Sequence, residues 1–421
     1  MTDRQASATP DATGVGRLAG AKPTADKITG DKPNADRTAA DKIAVDKIAA
    51  GFRRTADAEF AGESPLYHRL ARALADRPDL FEPLLAAPPT QRRALLYLAA
   101  VGQVLRTSAA GHPLADWYAT LGGTRPAADG DPVEALADLV DTHREEIAAL
   151  CARKITQTNE VNRAALLRPA WGRAAQIATA MRRPELAVIE LGASAGLLLA
   201  TDRYAIRYHQ GGSERIYGEG TLAIDCDVRG DGWPDHAATA VPVASRTGVD
   251  LEPIRPGDAD GAAWLHACVW PEHTERDARL DRALAVVADL APTMVAADMR
   301  SGLRAALADI PDDVTPCVQT SHAIVYLDAD GRGELVRTLA SLGTERDMIV
   351  VMNEPSVLHG WTAPIPRPDA GVTTHVTVVA WRGGTATVEV LAEGDPHGRW
   401  LRYEPRGFAY APPALSGASD V

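Results

Sequence analysis

Lysine almost vanishes once the first 48 residues are passed. Of six lysines only Lys154 lies beyond that point, and arginine supplies the other cationic side chains. The formal net charge is −12. Non-specific nucleic-acid affinity comes mostly from Lys and Arg neutralising phosphates, so no broad nucleic-acid face is expected. A local basic pocket for a small anion stays open. Cysteine is scarce too: Cys151, Cys226, Cys268 and Cys317 are scattered, and none falls in a C-x-x-C pair. That removes support for zinc-ribbon and thioredoxin-like readings, and no metal site is expected. Reduced, mostly buried thiols are expected instead. No apolar run reaches the roughly 18 residues of a membrane helix. The opening Met1-Thr2-Asp3-Arg4 leads into no apolar segment. A secretory leader is therefore not expected, nor a membrane partner, and the cytoplasm is the expected location.

What is present divides unevenly. From Thr24 a five-residue unit repeats as Thr24-Ala-Asp-Lys-Ile28, Thr29-Gly-Asp-Lys-Pro33, Asn34-Ala-Asp-Arg-Thr38, Ala39-Ala-Asp-Lys-Ile43 and Ala44-Val-Asp-Lys-Ile48. A period of five does not match 3.6, so Ile28, Ile43 and Ile48 share no helical stripe. Pro33 breaks a helix as well. Without a coherent apolar face the segment cannot offset its ordering entropy, and residues 1–48 read as a disordered tail whose last turns can join the next helix.

From 49 to 184 the period is helical. Leu66, Leu70, Leu74 and Leu80 recur at helical spacing, Leu95 to Leu105 is an apolar helix, and Leu136, Leu139, Ile147 and Leu150 form one stripe. From 185 to 411 the pattern changes to short apolar runs: Ala187–Leu191, Thr247–Leu251, Thr293–Ala297, Pro316–Thr320 and Met348–Met352. Helical stretches such as Glu275–Leu290 and Gly333–Leu342 separate the later ones. Strands alternating with helices imply a doubly wound parallel sheet. His375–Trp381 and Thr385–Leu391 flank Arg382-Gly383-Gly384, a hairpin. The expected fold is α/β. It comprises five parallel strands plus a C-terminal antiparallel hairpin, which resembles the class I methyltransferase sheet, after an all-helical subdomain and a disordered tail. Residues 412–421 read as a disordered end.

One segment carries most of the chemistry: Val188-Ile189-Glu190-Leu191-Gly192-Ala193-Ser194-Ala195-Gly196-Leu197-Leu198-Leu199. A strand enters a turn of small residues, and an apolar helix is expected to follow. Such a turn admits a ligand close to backbone and aims free N–H groups at it. Glu190 at the end of a buried strand needs a donor, for which a ligand ammonium or hydroxyl would serve. The dinucleotide pattern G-x-G-x-x-G fails, since Ser194 and Leu197 hold its second and third glycine positions. The nucleophile elbow G-x-S-x-G fits literally, with Ser194 as nucleophile. The methyltransferase loop, acid-x-G-x-G-x-G, fits as Glu190, Gly192, Ser194 and Gly196, with serine at the middle glycine. A hydrolase elbow follows several earlier strands, whereas none is seen before Ala187, so the methyltransferase reading leads.

In doubly wound sheets ligands sit outside the carboxyl ends of the strands. Asp250, ending the second run, is the expected ribose holder, with Asp225 or Asp227 as alternatives because the gap from Gly196 to Asp250 is long. Asp298, ending the third, either accepts from an adenine amino group or caps a helix. Ser321 and His322 end the fourth, where His322 is a candidate base. Glu354, after the fifth, either lines the cleft or faces water. Upstream, Gln157-Thr158-Asn159-Glu160 with Arg163 reads either as a helix start or as a polar wall over the cleft, with Glu160 a second candidate base. Trp264, Trp270, His397 and Arg399 are weaker candidates.

Gln157-Thr158-Asn159-Glu160, Glu190-Leu-Gly-Ala-Ser-Ala-Gly196, Asp202-Arg203-Tyr204, Arg246-Thr-Gly-Val-Asp250, Trp264-Leu265, Trp270-Pro271-Glu272 and His397-Gly398-Arg399-Trp400 occur in this order. Together they resemble the domain of unknown function 2332 family of bacterial proteins, over roughly Phe52 to Tyr410. The resemblance implies no particular activity. Leu198 departs from it, standing where members often carry asparagine. The functional expectation therefore rests on strand order and the Gly192 loop. It is S-adenosylmethionine-dependent methyl transfer to a small molecule, with Glu190, Gly192, Ser194, Gly196, Asp250 and Asp298 toward the cofactor. Gln157, Asn159, Arg163 and Ser321 would face the substrate, and His322 or Glu160 would take a proton. A Ser194 hydrolase and a non-catalytic binding protein are the alternatives.

Overall fold

A computed structural model describes residues 39–157, 160–358 and 373–409. By contacts the chain falls into two units that divide between Asp46 and Lys47, within the first helix, and the larger one carries the sheet and the remaining helices.

The helical region is built from α1 (Ala39–Thr55), α2 (Pro65–Leu74), α3 (Pro78–Phe81), α4 (Ala94–Arg106), α5 (Pro132–Arg153) and α6 (Ala164–Ala180). α1 starts inside the stretch expected to be tail, so the last two repeats are helical. Residues 1–38 of the expected disordered tail and the expected disordered end at 412–421 lie outside the described residues. α2 begins with the Ser64 hydroxyl accepting from Tyr67 N and with Pro65 at its first position, both ordinary helix-start devices. Leu136, Leu139, Ile147 and Leu150 are buried along α5 as their spacing requires. α6 is buried on nearly every face from Ala164 to Ala178, because it lies over the sheet.

The strands are β1 (Leu186–Leu191), β2 (Ala205–Gln210), β3 (Ser213–Tyr217), β4 (Ala223–Arg229) and β5 (Val243–Asp250). After α7 (Ala259–Ala267) and α8 (Thr274–Leu290) come β6 (Thr293–Ala296), α9 (Met299–Ala308), β7 (Thr315–Ser321), α10 (Ala329–Glu345) and β8 (Met348–Pro355). β9 (Thr374–Arg382), β10 (Thr385–Gly394) and β11 (Trp400–Ala409) end the described chain. They form one sheet in the order β3-β2-β4-β11-β10-β9-β8-β7-β1-β5-β6. The five apolar runs of the sequence are β1, β5, β6, β7 and β8, and they pair in parallel as β6-β5-β1-β7-β8. β1, β7 and β8 are buried throughout, as continuous apolar strands covered on both faces must be. Leu186 and Val188 pack in one core with Trp171 of α6, while Ala187, Ile189 and Leu191 pack in another with Leu303 and Leu335.

Two expectations need correcting. The hairpin does not close the sheet: β9 and β10 pair antiparallel beyond β8, but β11 pairs with β10 and runs parallel to β4. The long segment between Gly196 and β5 supplies β2, β3 and β4, so among the described residues the sheet has eleven strands. And no α-helix follows the Gly192 loop. Leu197–Arg203 is a 3₁₀ turn that leads straight to β2.

Candidate functional site

After β1 the chain first forms β2, β3 and β4 at the far end of the sheet, then β5 and β6 on one side of β1, and returns to β7 on the other. Strand order therefore reverses beside β1, where the loops part and leave a crevice at the carboxyl ends. A cavity of about 460 Å³ lies there. It is lined by the loops after β1, β5, β6 and β7, by Ile155–Gln157 with Glu160 and Arg163, and by Thr90, Gln91 and Arg93. That volume lies within the range of small-molecule sites.

Gln157, Glu160, Arg163, Glu190, Gly192, Ser194, Asp250, Asp298, Ser321 and His322 all line it. Gly196 does not; its backbone is left-handed, and a Cβ added there would meet Leu199, Met294 and Pro292. Asn159 lies outside the described residues. Asp225 is paired with Arg207 and His209 between β2 and β4, and neither it nor Asp227 lines the cavity. Trp264 donates to Ile155 O and Trp270 packs on Phe60, so both are packing residues.

The loop works differently from its expected role. Gly192 N and Ala193 N donate to Val249 O, Ser194 N donates to Asp250 Oδ2 at 2.8 Å, and Gly196 N donates to Ala193 O. Those amides are spent inside the protein. Gly192 is required by its φ of 76° and by Ala323, whose Cβ would lie 2.6 Å from an added Cβ. The glycine thus lets the β1 and β7 loops touch.

Glu190 is 3% exposed, and its Oε2 has no hydrogen-bond partner among the described residues. Burial pushes its carboxyl up to about 8; the Gln319 amide opposes this and Asp250 adds to it. Gln319 faces Glu190 across the β1–β7 pairing and takes the Trp171 indole N–H at 2.6 Å through Oε1. Asp250 holds two backbone amides, Ser194 N and Glu252 N. Asp298 caps α9 through Arg300 N and is forked by the Arg300 guanidinium, which holds it below the usual carboxylate range.

Neither candidate base suits that role. Burial would raise Glu160, but Arg276, His397 and Arg163 together bring it down to about 2. It accepts from Asn162 N and faces His397 Nδ1 at 3.2 Å, so it is an ion-pair hub. His322 is pressed down to about 2 by burial and by Arg163 and His397, so it is neutral across the physiological range and a weak base. Its φ of 52°, shared by Ser194, is a left-handed conformation that costs a non-glycine residue energy. Glu354 neither lines the cleft nor meets water: fully buried, it accepts from Ala323 N and Ile324 N and holds the His322 loop from beneath. Ser321 Oγ accepts from Asn353 Nδ2. Arg163 is buried, with Nε donating to Pro396 O at 2.8 Å, and burial lowers it to about 10. The Asp395–Arg399 turn therefore braces the cleft wall rather than covering the cleft. Ser194 Oγ has no hydrogen-bond partner among the described residues, so no base activates it.

Sequence reading missed Gln319, Trp171, Arg93 and Tyr326. Gln319 and Trp171 sit inside apolar segments and carry no motif; only the polar side chain within a buried strand marks Gln319. Among the described residues no helix is long and apolar enough to cross a membrane, and no cluster could hold a metal ion.

Fold and site define an α/β protein with a large, mostly parallel sheet and a ligand-sized cleft at the strand switch point. The chain belongs to the DUF2332 family, described as an uncharacterized protein conserved in bacteria, whose model matches residues 49–403. No curated protein matches it.

Proposed function

We propose that the protein is an S-adenosylmethionine-dependent methyltransferase acting on a small molecule in the cytoplasm. One observation carries the reading: Glu190, Asp250 and Asp298, at or just beyond the carboxyl ends of three adjacent strands, line one cavity. The cofactor offers an ammonium, a ribose diol and an adenine amino group, all donors suited to such a row, and it supplies a methyl group on an already reactive sulfonium. The order β6-β5-β1-β7-β8 supports the same reading.

The residues fit that group in donor set. Glu190 Oε2 is a buried acceptor without a partner. Asp250 and Asp298 retain lone pairs beyond those given to the loop and to Arg300. Asp250 would take the ribose while anchoring Ser194, and Asp298 the adenine edge. Leu197 and Leu198 supply an apolar wall that keeps water from the reacting end. Gln157, Ser321 and neutral His322 would orient the acceptor, and the main contribution is positioning for in-line attack.

The test is transfer of labelled methyl from S-adenosylmethionine into a bacterial small-molecule extract by the full chain. Label transferred by the wild type and lost in Glu190→Gln supports the reading. Absence of any S-adenosylmethionine or S-adenosylhomocysteine binding at millimolar concentration overturns it.

A further inference from the structure

Arg163 and Glu190 line the same cavity, carry opposite formal charges and are both buried. Arg163 donates through Nε to Pro396 O, and its side chain makes no other hydrogen bond and no ion pair among the described residues. Glu190 Oε2 is likewise without a partner. The two do not pair with each other. Their neighbours are committed elsewhere: Glu160 to Arg276 and His397, Glu354 to the amides of Ala323 and Ile324, and Asp250 to those of Ser194 and Glu252. Burying an unmet polar group is costly, and here a guanidinium with one hydrogen bond and a carboxyl oxygen with none face one space. A ligand carrying both signs on adjacent atoms relieves both.

We infer that this end of the cavity is a zwitterion site for an α-amino acid group, with the Arg163 fork receiving the carboxylate and Glu190 the ammonium. The planar guanidinium suits a carboxylate held by two parallel hydrogen bonds, and an α-amino acid sets its two charges on one carbon. The inference rests on the proposed methyl transfer only for what the amino acid is attached to. It is either the methionine end of the cofactor or a free amino acid that serves as acceptor.

Calorimetric titration of the full chain separates these. The probes are S-adenosylhomocysteine, 5′-methylthioadenosine, which lacks the amino acid, and L-methionine, which lacks the nucleoside. The variants are Arg163→Met, Arg163→Lys and Glu190→Gln, each first shown to melt cooperatively. The expected result is S-adenosylhomocysteine binding roughly tenfold to a hundredfold tighter than 5′-methylthioadenosine, the effect of charged hydrogen bonds of ordinary strength. Arg163→Met removes that ratio and leaves 5′-methylthioadenosine affinity unchanged, while Arg163→Lys restores part of it. L-methionine binding that needs Arg163, with neither nucleoside bound, keeps the zwitterion site and overturns methyl transfer. Equal affinity for the two nucleosides together with no binding of L-methionine, or a ratio that survives in folded Arg163→Met, overturns the site and leaves methyl transfer standing. No binding of any probe at millimolar concentration overturns both.

Discussion

The indole N–H of Trp171 on α6 donates to Gln319 Oε1 on β7 at 2.6 Å, and Gln319 stands opposite Glu190 in the β1–β7 pairing. Trp171→Phe removes the donor and also shrinks a fully buried ring. A buried acceptor left unmet costs about 1–3 kcal/mol and the cavity adds to it, so the variant should lose at least that much in urea unfolding. The same change frees Gln319 to rotate, and Glu190, which that amide opposes burial to hold down, should titrate higher. A variant as stable as the wild type would show that the bond contributes nothing.

Glu190 gives a pH signature. Its carboxyl is raised by burial to about 8 in the folded chain, against about 4.3 when unfolded. The folded state holds the proton more tightly. Its contribution to stability is therefore complete below about pH 4 and is lost as pH rises through 8. Glu354, raised by burial to about 7, acts in the same direction. Glu190→Gln removes the ionisation, so it should melt several degrees above the wild type at pH 9, with the gap closing toward pH 5. The full linkage is worth roughly 3–5 kcal/mol at most. A gap independent of pH contradicts the assignment.

Gly192 and Ala323 form a testable pair. Gly192→Ala must adopt a left-handed backbone, costing about 1–2 kcal/mol, and must crowd Ala323, costing about 1–3 kcal/mol more. Ala323→Gly in the same chain should recover the crowding and leave the backbone cost. A double-mutant cycle by denaturant unfolding measures that coupling, and strict additivity would mean the two loops do not touch as described.

Ser194 should be inert. Its Oγ meets no base, and neutral His322 has its Nε2 without a partner as well. A fluorophosphonate should leave the chain unlabelled at pH 7.5. Labelling that Ser194→Ala abolishes would restore the hydrolase reading in place of methyl transfer.

The five parallel strands could be read from the sequence as short apolar runs, most clearly β1, β7 and β8, which are covered on both faces, whereas β5 and β6 are only partly buried. The insertion was harder. β2 to β4 alternate rather than run apolar and bury one face at most, yet Gly211-Gly212 between β2 and β3 is a two-residue hairpin turn that could have been noticed. The cleft residues were legible where strand ends could be placed, as with Glu190, Asp250 and His322. Their roles were not. Whether a loop amide is free depends on Val249 O and Asp250, and whether Glu160 is a base depends on Arg276 and His397. Both are tertiary contacts that no local pattern encodes.

The most direct test of the central claim is calorimetric titration of S-adenosylhomocysteine at pH 7 in two buffers of different ionisation enthalpy. An ammonium seated against Glu190 must drive off the proton that burial keeps there, so the account gives micromolar binding with close to one proton released, and the release vanishes in Glu190→Gln. Binding with no buffer dependence would remove Glu190 from the ligand, and no binding at millimolar ligand would contradict the cofactor site altogether.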